Sequence, residues 1–248
     1  MVEERPPVRQ GHRFLGVLGE LLITAGVVLL LFVAWELWWT DVVADREQAD
    51  IVSALPWEQP PATDPATGGP RIAKPQSGDP PVIDEPANTE TFATLQVPRW
   101  DGKKRPISQG VGRVDVLNPK GIGHYPGTAM PGEVGNFAVA GHRTTYGKPF
   151  AQIDKLRTGD ALVVRTEKYW YVYTVTSHEI VRPDRTDVIA SVPGEPGAVP
   201  TERMMTMTAC HPRYSAVWRY VVHATFSSWA KVSDGVPAEL VASSGKES

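Results

Sequence analysis

A long apolar run near the amino terminus constrains this chain more than any other feature. Residues 14–39 contain only two charged side chains, Glu20 and Glu36. A membrane-spanning helix needs about 20 mostly apolar residues, so the run is long enough to cross a bilayer. Glu20 and Glu36 then lie near the two headgroup levels. The residues before the run and those after it are then expected to lie on opposite sides of the membrane.

The charges around the run predict its orientation. Three arginines precede it and one follows it closely: Arg5, Arg9, Arg13 and Arg46. Because positive residues stay on the cytoplasmic side, we expect residues 1–13 to be cytoplasmic and residues 14–39 to be a single-pass signal anchor in the plasma membrane. The catalytic part is then extracytoplasmic. A cleaved signal peptide is the alternative, with Val42 and Ala44 as the cleavage site, but the run exceeds a usual signal-peptide core.

Proline marks the next segment. Nine of the 23 prolines fall between Pro56 and Pro86, among few large apolar residues. Such a composition cannot bury enough surface to offset its ordering entropy, and proline extends the chain. We predict a Pro-rich extracytoplasmic stalk over residues 40–90, a folded domain over 91–230 and a polar tail over 231–248.

Short strand patterns separated by glycine and proline turns fill the folded domain. The predicted strands are Thr91–Val97, Asn136–Ala140, Ala161–Arg165, Tyr169–Val175, Met204–Thr208 and Val217–Phe226, with brief helical turns in Lys148–Lys155 and Arg185–Ala190. Many short strands at close spacing predict an all-β sandwich or a closed barrel. Net charge is −3, and without a basic stripe the chain is not expected to bind nucleic acid.

The single cysteine, Cys210, lies where a strand pattern ends and a His-Pro turn begins. A lone cysteine is either a buried apolar side chain or a nucleophile. A nucleophile needs a partner, and the adjacent His211 points to the opposite face of a strand. His142 follows another strand pattern and is the favoured partner, with His124 a further candidate. Arg219, nine residues after Cys210, could lie beside it on the returning strand and stabilise an oxyanion.

Two stretches of the sequence, "GIGHYPGTAMPGEVGNFAVAGHRTTYG" and "TMTACHPRYSAVWR", resemble the sortase family. The first resembles the segment that carries the sortase histidine, and the second resembles the TLxTC-x-P…R signature that carries the cysteine and the arginine. The resemblance covers residues 91–230. The words HYPGT and AGHRTTYG are most similar to class E sortases of high-GC Gram-positive bacteria.

This resemblance implies an eight-stranded β-barrel and a cysteine transpeptidase that needs no metal or other cofactor. Carried over by position, Cys210 is the nucleophile, His142 the general acid/base and Arg219 the stabiliser of the oxyanion or substrate. Such an enzyme cleaves a carboxy-terminal sorting signal, LAxTG-like or LPxTG, between Thr and Gly. It then joins the protein to a peptidoglycan amine, so the implied partners are secreted proteins with that signal and a cell-wall precursor.

The same resemblance assigns substrate binding to Tyr125, Thr208 and Ala209. The family usually has threonine directly before the cysteine, where this chain has Ala209. Two alternatives remain open: a pilin-polymerising sortase and a non-catalytic membrane-tethered domain that binds the cell wall. Pilin-polymerising enzymes often carry an Asp-Pro-aromatic plug, and here Asp79-Pro80 is followed by Pro81.

Overall fold

The computed structural model describes residues 10–58, 60 and 62–242. They belong to two compact units, Met1–Thr40 and Asp41–Ser248. The predictions that rest on Arg5 and Arg9, and the last six residues of the predicted tail, lie outside the described residues.

Helix α1 (Gln10–Ala54) contains the apolar run. Within it, Phe14–Ala54 is a candidate membrane span by length and composition, with a mean hydropathy of 2.5 in its most apolar window and no burial there. The predicted span ends at Trp39, but the helix continues for fifteen residues. The sequence explains this continuation, because neither glycine nor proline occurs between Thr40 and Leu55 and the first helix-breaking residue is Pro56.

Eight strands form a closed barrel in the order β1-β2-β3-β4-β7-β8-β6-β5. They are β1 Thr91–Gln96, β2 Arg105–Gln109, β3 Ile122–His124, β4 Gly135–Gly141, β5 Ala161–Arg165, β6 Tyr169–Val181, β7 Arg203–His211 and β8 Trp218–Lys231. The pairs β2–β3 and β4–β7 are parallel, and the other pairs are antiparallel. The eight-stranded barrel is confirmed.

Short helices connect the strands. They are a π-helix Arg113–Leu117, α2 Asn118–Lys120, three 3-10 turns at Ile153–Lys155, Thr186–Ile189 and Val232–Asp234, and α3 Ala238–Ala242. Two of the turns lie within the segments where the sequence predicted brief helices. Because these connections are compact, they hold the loops at the strand ends close to the barrel wall.

Side chains alternate between the barrel interior and its outer wall, as the pleat requires. On β7, the odd-numbered residues from Met205 to Ala209 belong to the barrel core. The even-numbered residues from Thr206 to Cys210 therefore face the outer wall. This alternation decides which residues of β7 can meet a substrate.

The predicted stalk packs along the barrel instead of standing apart from it. Ile72 pairs with Val236 and Gln76 with Trp229 in isolated β-bridges, and the Glu58 carboxylate lies 2.6 Å from Nη1 of Arg165. An outer-wall cluster of apolar side chains explains the difference, because it would otherwise face water: Ala73, Val163, Trp170, Val172, Ala230 and Val236. Only Ala73 of this cluster belongs to the stalk, so the stalk covers a surface that the barrel cannot bury alone.

Candidate active site

Cys210 lies near the end of β7 on the outer wall of the barrel. Its side chain is free and half-buried. Thr208 and Thr206 precede it on the same face of the strand, whereas the core side of β7 is filled by methionines. The thiol is therefore presented at a strand end, beside loops, and is not part of the apolar core.

Arg219 is the direct partner of Cys210 in the antiparallel pairing of β7 and β8. Directly paired residues lie on the same face with their Cβ atoms about 5 Å apart. Nη1 of Arg219 donates hydrogen bonds to the carbonyl oxygens of Ala216 (2.9 Å) and Trp218 (3.1 Å). These bonds fix one arm of the guanidinium, and the group has three further N–H donors.

His142 is the first residue after β4, which lies parallel to β7. The last paired residues are Ala140 and Thr208. Continuing this register by two residues places His142 level with Cys210, on the same face of the barrel wall. The fold thus brings the three predicted catalytic residues to one level on three neighbouring strands.

A hydrogen bond beyond the paired residues shows that the two strand ends stay adjacent. Nη1 of Arg143 donates to Nδ1 of His211 over 2.8 Å, and Nη2 of Arg143 lies 2.8 Å from the Asp154 carboxylate. Arg143 directly follows His142, and His211 directly follows Cys210. His211 is therefore held by Arg143, on the face of β7 opposite to Cys210. No sequence pattern indicated this role of Arg143.

Two neighbours hold the His142 imidazole. Its Nε2 lies 2.8 Å from Oδ1 of Asn118, the first residue of α2, and its ring centroid lies 5.3 Å from that of Tyr146. Burial lowers the pKa of His142, and the positive charge of Arg113 lowers it further. Both effects favour the neutral imidazole, which is able to accept a proton. Sequence reasoning missed Asn118 and Tyr146, because neither belongs to a strand pattern.

Tyr125 and Thr208 meet on the same outer face as Cys210. The Tyr125 hydroxyl lies 2.9 Å from Oγ1 of Thr208, which is two residues before the cysteine on β7. Tyr125 follows β3, and its side chain is half-buried. The two predicted substrate-binding side chains are thus brought together next to the thiol.

Ala209 is placed differently from the other predicted site residues. Its side chain is 3% exposed and belongs to the barrel core. A side chain at this position points away from the face that carries Cys210, so any contact of residue 209 with a substrate must come from its backbone. The substitution of the usual threonine by alanine therefore changes the core side of β7.

Two other histidines, His124 and His223, have structural environments. His124 is fully buried between Gln109 Oε1 (2.7 Å from Nδ1) and Thr128 Oγ1 (2.9 Å from Nε2), and burial lowers its pKa to about 4. His223 contacts Thr206 and Glu179. Among residues 10–58, 60 and 62–242, no group of three or more His, Cys, Asp or Glu side chains is arranged to hold a metal ion.

The Asp79-Pro80 segment lies at the other end of β7. Asp79 pairs with Arg203, the first residue of that strand, over 2.7 Å. Cys210 lies seven residue steps along the extended strand from Arg203, which is roughly 23 Å at about 3.3 Å per residue. The segment is therefore not placed as a plug over the cysteine.

The chain is similar to known sortases in sequence and structure. The family model described as "Sortase domain" matches residues 95–227. Sortase SrtE1 of Streptomyces coelicolor is 35% identical over 230 residues, which is 90% of this chain and 60% of that protein. Sortase SrtE2 of the same organism is 34% identical over 88% of this chain and 84% of its own length.

A solved structure gives the same result. The SrtA sortase from Actinomyces oris has a TM-score of 0.64 and 44% identity, and the match covers 67% of this chain and 96% of that chain. The closed barrel and the position of the cysteine near the end of β7 are consistent with this match to the sortase domain. The chain belongs to the sortase family of cysteine transpeptidases.

Proposed function

We propose that this chain is a membrane-anchored transpeptidase that joins secreted proteins to the cell wall. Its substrate is a carboxy-terminal sorting signal of the LAxTG or LPxTG type, cleaved between Thr and Gly. The observation that carries this proposal is the level arrangement of Cys210, His142 and Arg219 across β4, β7 and β8. A nucleophile, a proton carrier and a hydrogen-bond donor for the oxyanion are thus available at one place.

The chemistry proceeds in two acyl transfers. The Cys210 sulfur attacks the threonine carbonyl, and the tetrahedral oxyanion is stabilised by Arg219 and backbone N–H groups. Collapse breaks the Thr–Gly bond, and His142 delivers to the departing glycine amine the proton that the thiol lost. An amine of a peptidoglycan precursor then attacks the thioester. Its proton passes to His142, and the thiolate leaves.

The hydrogen bond to Asn118 supports separate tasks for the two nitrogens of His142. Oδ1 of Asn118 is an acceptor, so Nε2 of His142 carries a proton and donates it over the 2.8 Å contact. Nδ1 is then the nitrogen that exchanges protons with the thiol and the amines. Because the lowered pKa favours an unprotonated Nδ1, His142 is suited to take a proton in each transfer.

The substrate lies along the outer wall next to Tyr125 and Thr208. Their hydroxyl groups form a polar edge two residues before the nucleophile, and they contact the signal residues that precede the scissile bond. Helix α1 anchors the enzyme in the plasma membrane with its catalytic domain outside. This location keeps it near both secreted proteins and lipid-linked wall precursors.

Peptide cleavage by the full chain tests the proposal. The protein, purified in detergent, is incubated with LAxTG and LPxTG peptides and an amine, and the transpeptidation product is measured by mass spectrometry. Cys210→Ala should abolish product formation, and His142→Gln should lower kcat by about 10²–10⁴-fold. His178→Gln is the matched control, because His178 lies exposed on β6, and it should retain full activity.

Failure to cleave either peptide, or equal activity in Cys210→Ala, would overturn the transpeptidase proposal in favour of a non-catalytic wall-binding domain. The preferred acceptor amine distinguishes pilin polymerisation from attachment to the cell wall. A pilin-type enzyme would prefer a lysine side chain of a protein to a small wall-type amine.

A further inference from the structure

The last turns of α1 bury a polar side chain that a membrane anchor does not require. On the segment Asp41–Ala54, the face with Ala44, Gln48 and Val52 is buried. Gln48 is 6% exposed, and its Nε2 donates a hydrogen bond of 3.0 Å to the carbonyl oxygen of Tyr146. A buried glutamine with a long-range partner indicates a defined docking position for this part of the helix.

Gln48 is wedged between two glycines. A Cβ atom at Gly121 would lie 2.7 Å from Oε1 of Gln48, and one at Gly147 would lie 2.8 Å from its Nε2. Both glycines have positive φ, +88° and +72°. Only glycine lets the backbone approach the amide this closely in that conformation, so the amide contacts two separate loops at once.

These two loops carry the side chains that hold His142. Gly121 directly follows α2, whose first residue, Asn118, is hydrogen-bonded to His142 Nε2. Gly147 directly follows Tyr146, whose ring lies against the imidazole and whose carbonyl oxygen is the acceptor for Gln48. Both neighbours of the imidazole are therefore connected to one glutamine.

The loop after His142 also has a conformation that needs support. Tyr146 and Lys148 are not glycines, yet they have φ values of +53° and +36°, which are unfavourable for residues with a Cβ atom. The hydrogen bond from Gln48 and the ion pair between Lys148 and Asp41, at 2.8 Å, bind this loop to the same helix segment.

We propose that Gln48 is a positioning residue for His142, and that the segment Asp41–Ala54 of α1 is a structural part of the active site as well as an extension of the anchor. The inference rests on the proposed function of His142 as general acid/base. Gln48 does not touch the reacting atoms; it fixes Asn118 and Tyr146, which in turn fix the imidazole. A misplacement of about 1 Å at a catalytic group can cost 10²-fold in rate.

The charged and titratable groups around His142 determine how its pKa should respond. They are Arg113 on the π-helix, Tyr146 on the same loop, and Cys210 and Arg219 on β7 and β8. Burial is the first cause of the lowered pKa of His142, and Arg113 is the second. If the loop loses its support, water reaches the imidazole and its pKa should rise towards the ordinary value.

The test compares Gln48→Ala with Glu47→Ala in the full chain reconstituted in detergent or nanodiscs. Glu47 is the neighbouring exposed residue of the same helix segment. We expect Gln48→Ala to lower kcat by about 10-fold or more with KM nearly unchanged, since transition-state positioning and not substrate binding is lost. NMR titration of the His142 ring, assigned with His142→Gln, should show a raised pKa. Glu47→Ala should match the wild type in both measurements.

A second variant and a double mutant separate positioning from folding. Gln48→Met keeps the length of the side chain without its amide and should show the same changes if Gln48→Ala does not fold. Gln48→Ala combined with Asn118→Ala should cost less than the product of the two single losses, because the two residues act through the same imidazole.

Failure of the Gln48 inference and failure of the proposed function give different results. Wild-type kcat and wild-type His142 pKa in both Gln48 variants would overturn this inference and leave the transpeptidase proposal intact. If the wild type cleaves no peptide, the proposed function fails, and the NMR titration alone then decides whether Gln48 positions His142.

Discussion

The hydroxyl pair formed by Tyr125 and Thr208 joins the loop after β3 to the strand that carries the nucleophile. Their oxygen atoms are 2.9 Å apart, and both residues are half-buried or buried. A neutral hydrogen bond of this kind contributes about 0.5–1.5 kcal/mol. Because the pair lies on the face that holds Cys210, it is placed to orient a bound peptide.

A double-mutant cycle tests this pair. Tyr125→Phe and Thr208→Val each remove one hydroxyl with little change of shape, and each should lower kcat/KM for the LAxTG peptide by about 2- to 10-fold, the equivalent of one hydrogen bond. Combined, they should cost little more than either alone. Fully additive losses, measured by steady-state kinetics, would mean that the two hydroxyls act independently on the substrate.

Individual site residues differ in how visible they are in the sequence. Cys210, His142 and Arg219 each lie at the end or on the edge of a recognisable strand pattern, and the sortase resemblance assigned their roles. Asn118 belongs to a three-residue helix, Tyr146 to a strained loop and Gln48 to the segment predicted as a stalk. Their relevance depends on tertiary contacts between segments more than 20 residues apart, which no local pattern encodes.

At the scale of elements, the sequence pattern located most strands of the barrel. The two short strands β2 and β3 were missed. Six strand segments were located, and β5 was located at its observed bounds. β2 contains Pro106 beside a charged residue, and β3 is three residues long. These two strands exist because neighbouring strands supply their hydrogen bonds, so their own propensity is a weak indicator.

The end of β4 shows how an element is shaped to deliver a catalytic residue. Gly141 is its last residue, directly before His142. A Cβ atom there would lie 2.8 Å from Cδ2 of the buried Phe150 ring. The strand can therefore approach the ring closely only because residue 141 has no side chain.

We expect Gly141→Ala to lower the free energy of unfolding by about 1–3 kcal/mol, the usual cost of overpacking, and to lower kcat by displacing His142. Gly78→Ala is the control, because a Cβ atom at Gly78 meets nothing within 4 Å. Urea unfolding and peptide kinetics measure the two effects. Equal stability of the two variants would show that the Phe150 ring moves aside without cost.

For the molecule as a whole, the described residues between 41 and 90 belong to the same compact unit as the barrel. The composition correctly indicated that this segment has no core of its own. The near-continuous apolar runs of β5 and β6 are typical of strands buried on both faces, but they do not indicate which segment of the chain covers the outer wall. Val163, Trp170 and Val172 lie on that wall and are buried.

A comparison of two truncated chains tests this view of the stalk. A chain that begins at Asp41 keeps all of these contacts, whereas one that begins at Thr91 loses the stalk's cover over part of the outer-wall cluster and removes Glu58 from Arg165, whose side chain is 4% exposed. Full burial of one large apolar side chain contributes about 1.5–3 kcal/mol. We therefore expect the shorter chain to be less stable by about 3 kcal/mol or more, which corresponds to a melting temperature lower by about 6–12 °C.

Glu58→Gln in the chain that begins at Asp41 separates the two contributions to this loss. It removes the charge opposite Arg165 but leaves the apolar cover in place. If the cover dominates, this variant should melt much closer to its parent than to the chain that begins at Thr91, as measured by calorimetry. Equal melting temperatures for the two truncated chains would return residues 41–90 to the role of a spacer. A lower melting temperature together with a lower kcat in the chain that begins at Thr91 would instead show that residues 41–90 contribute to both stability and catalysis.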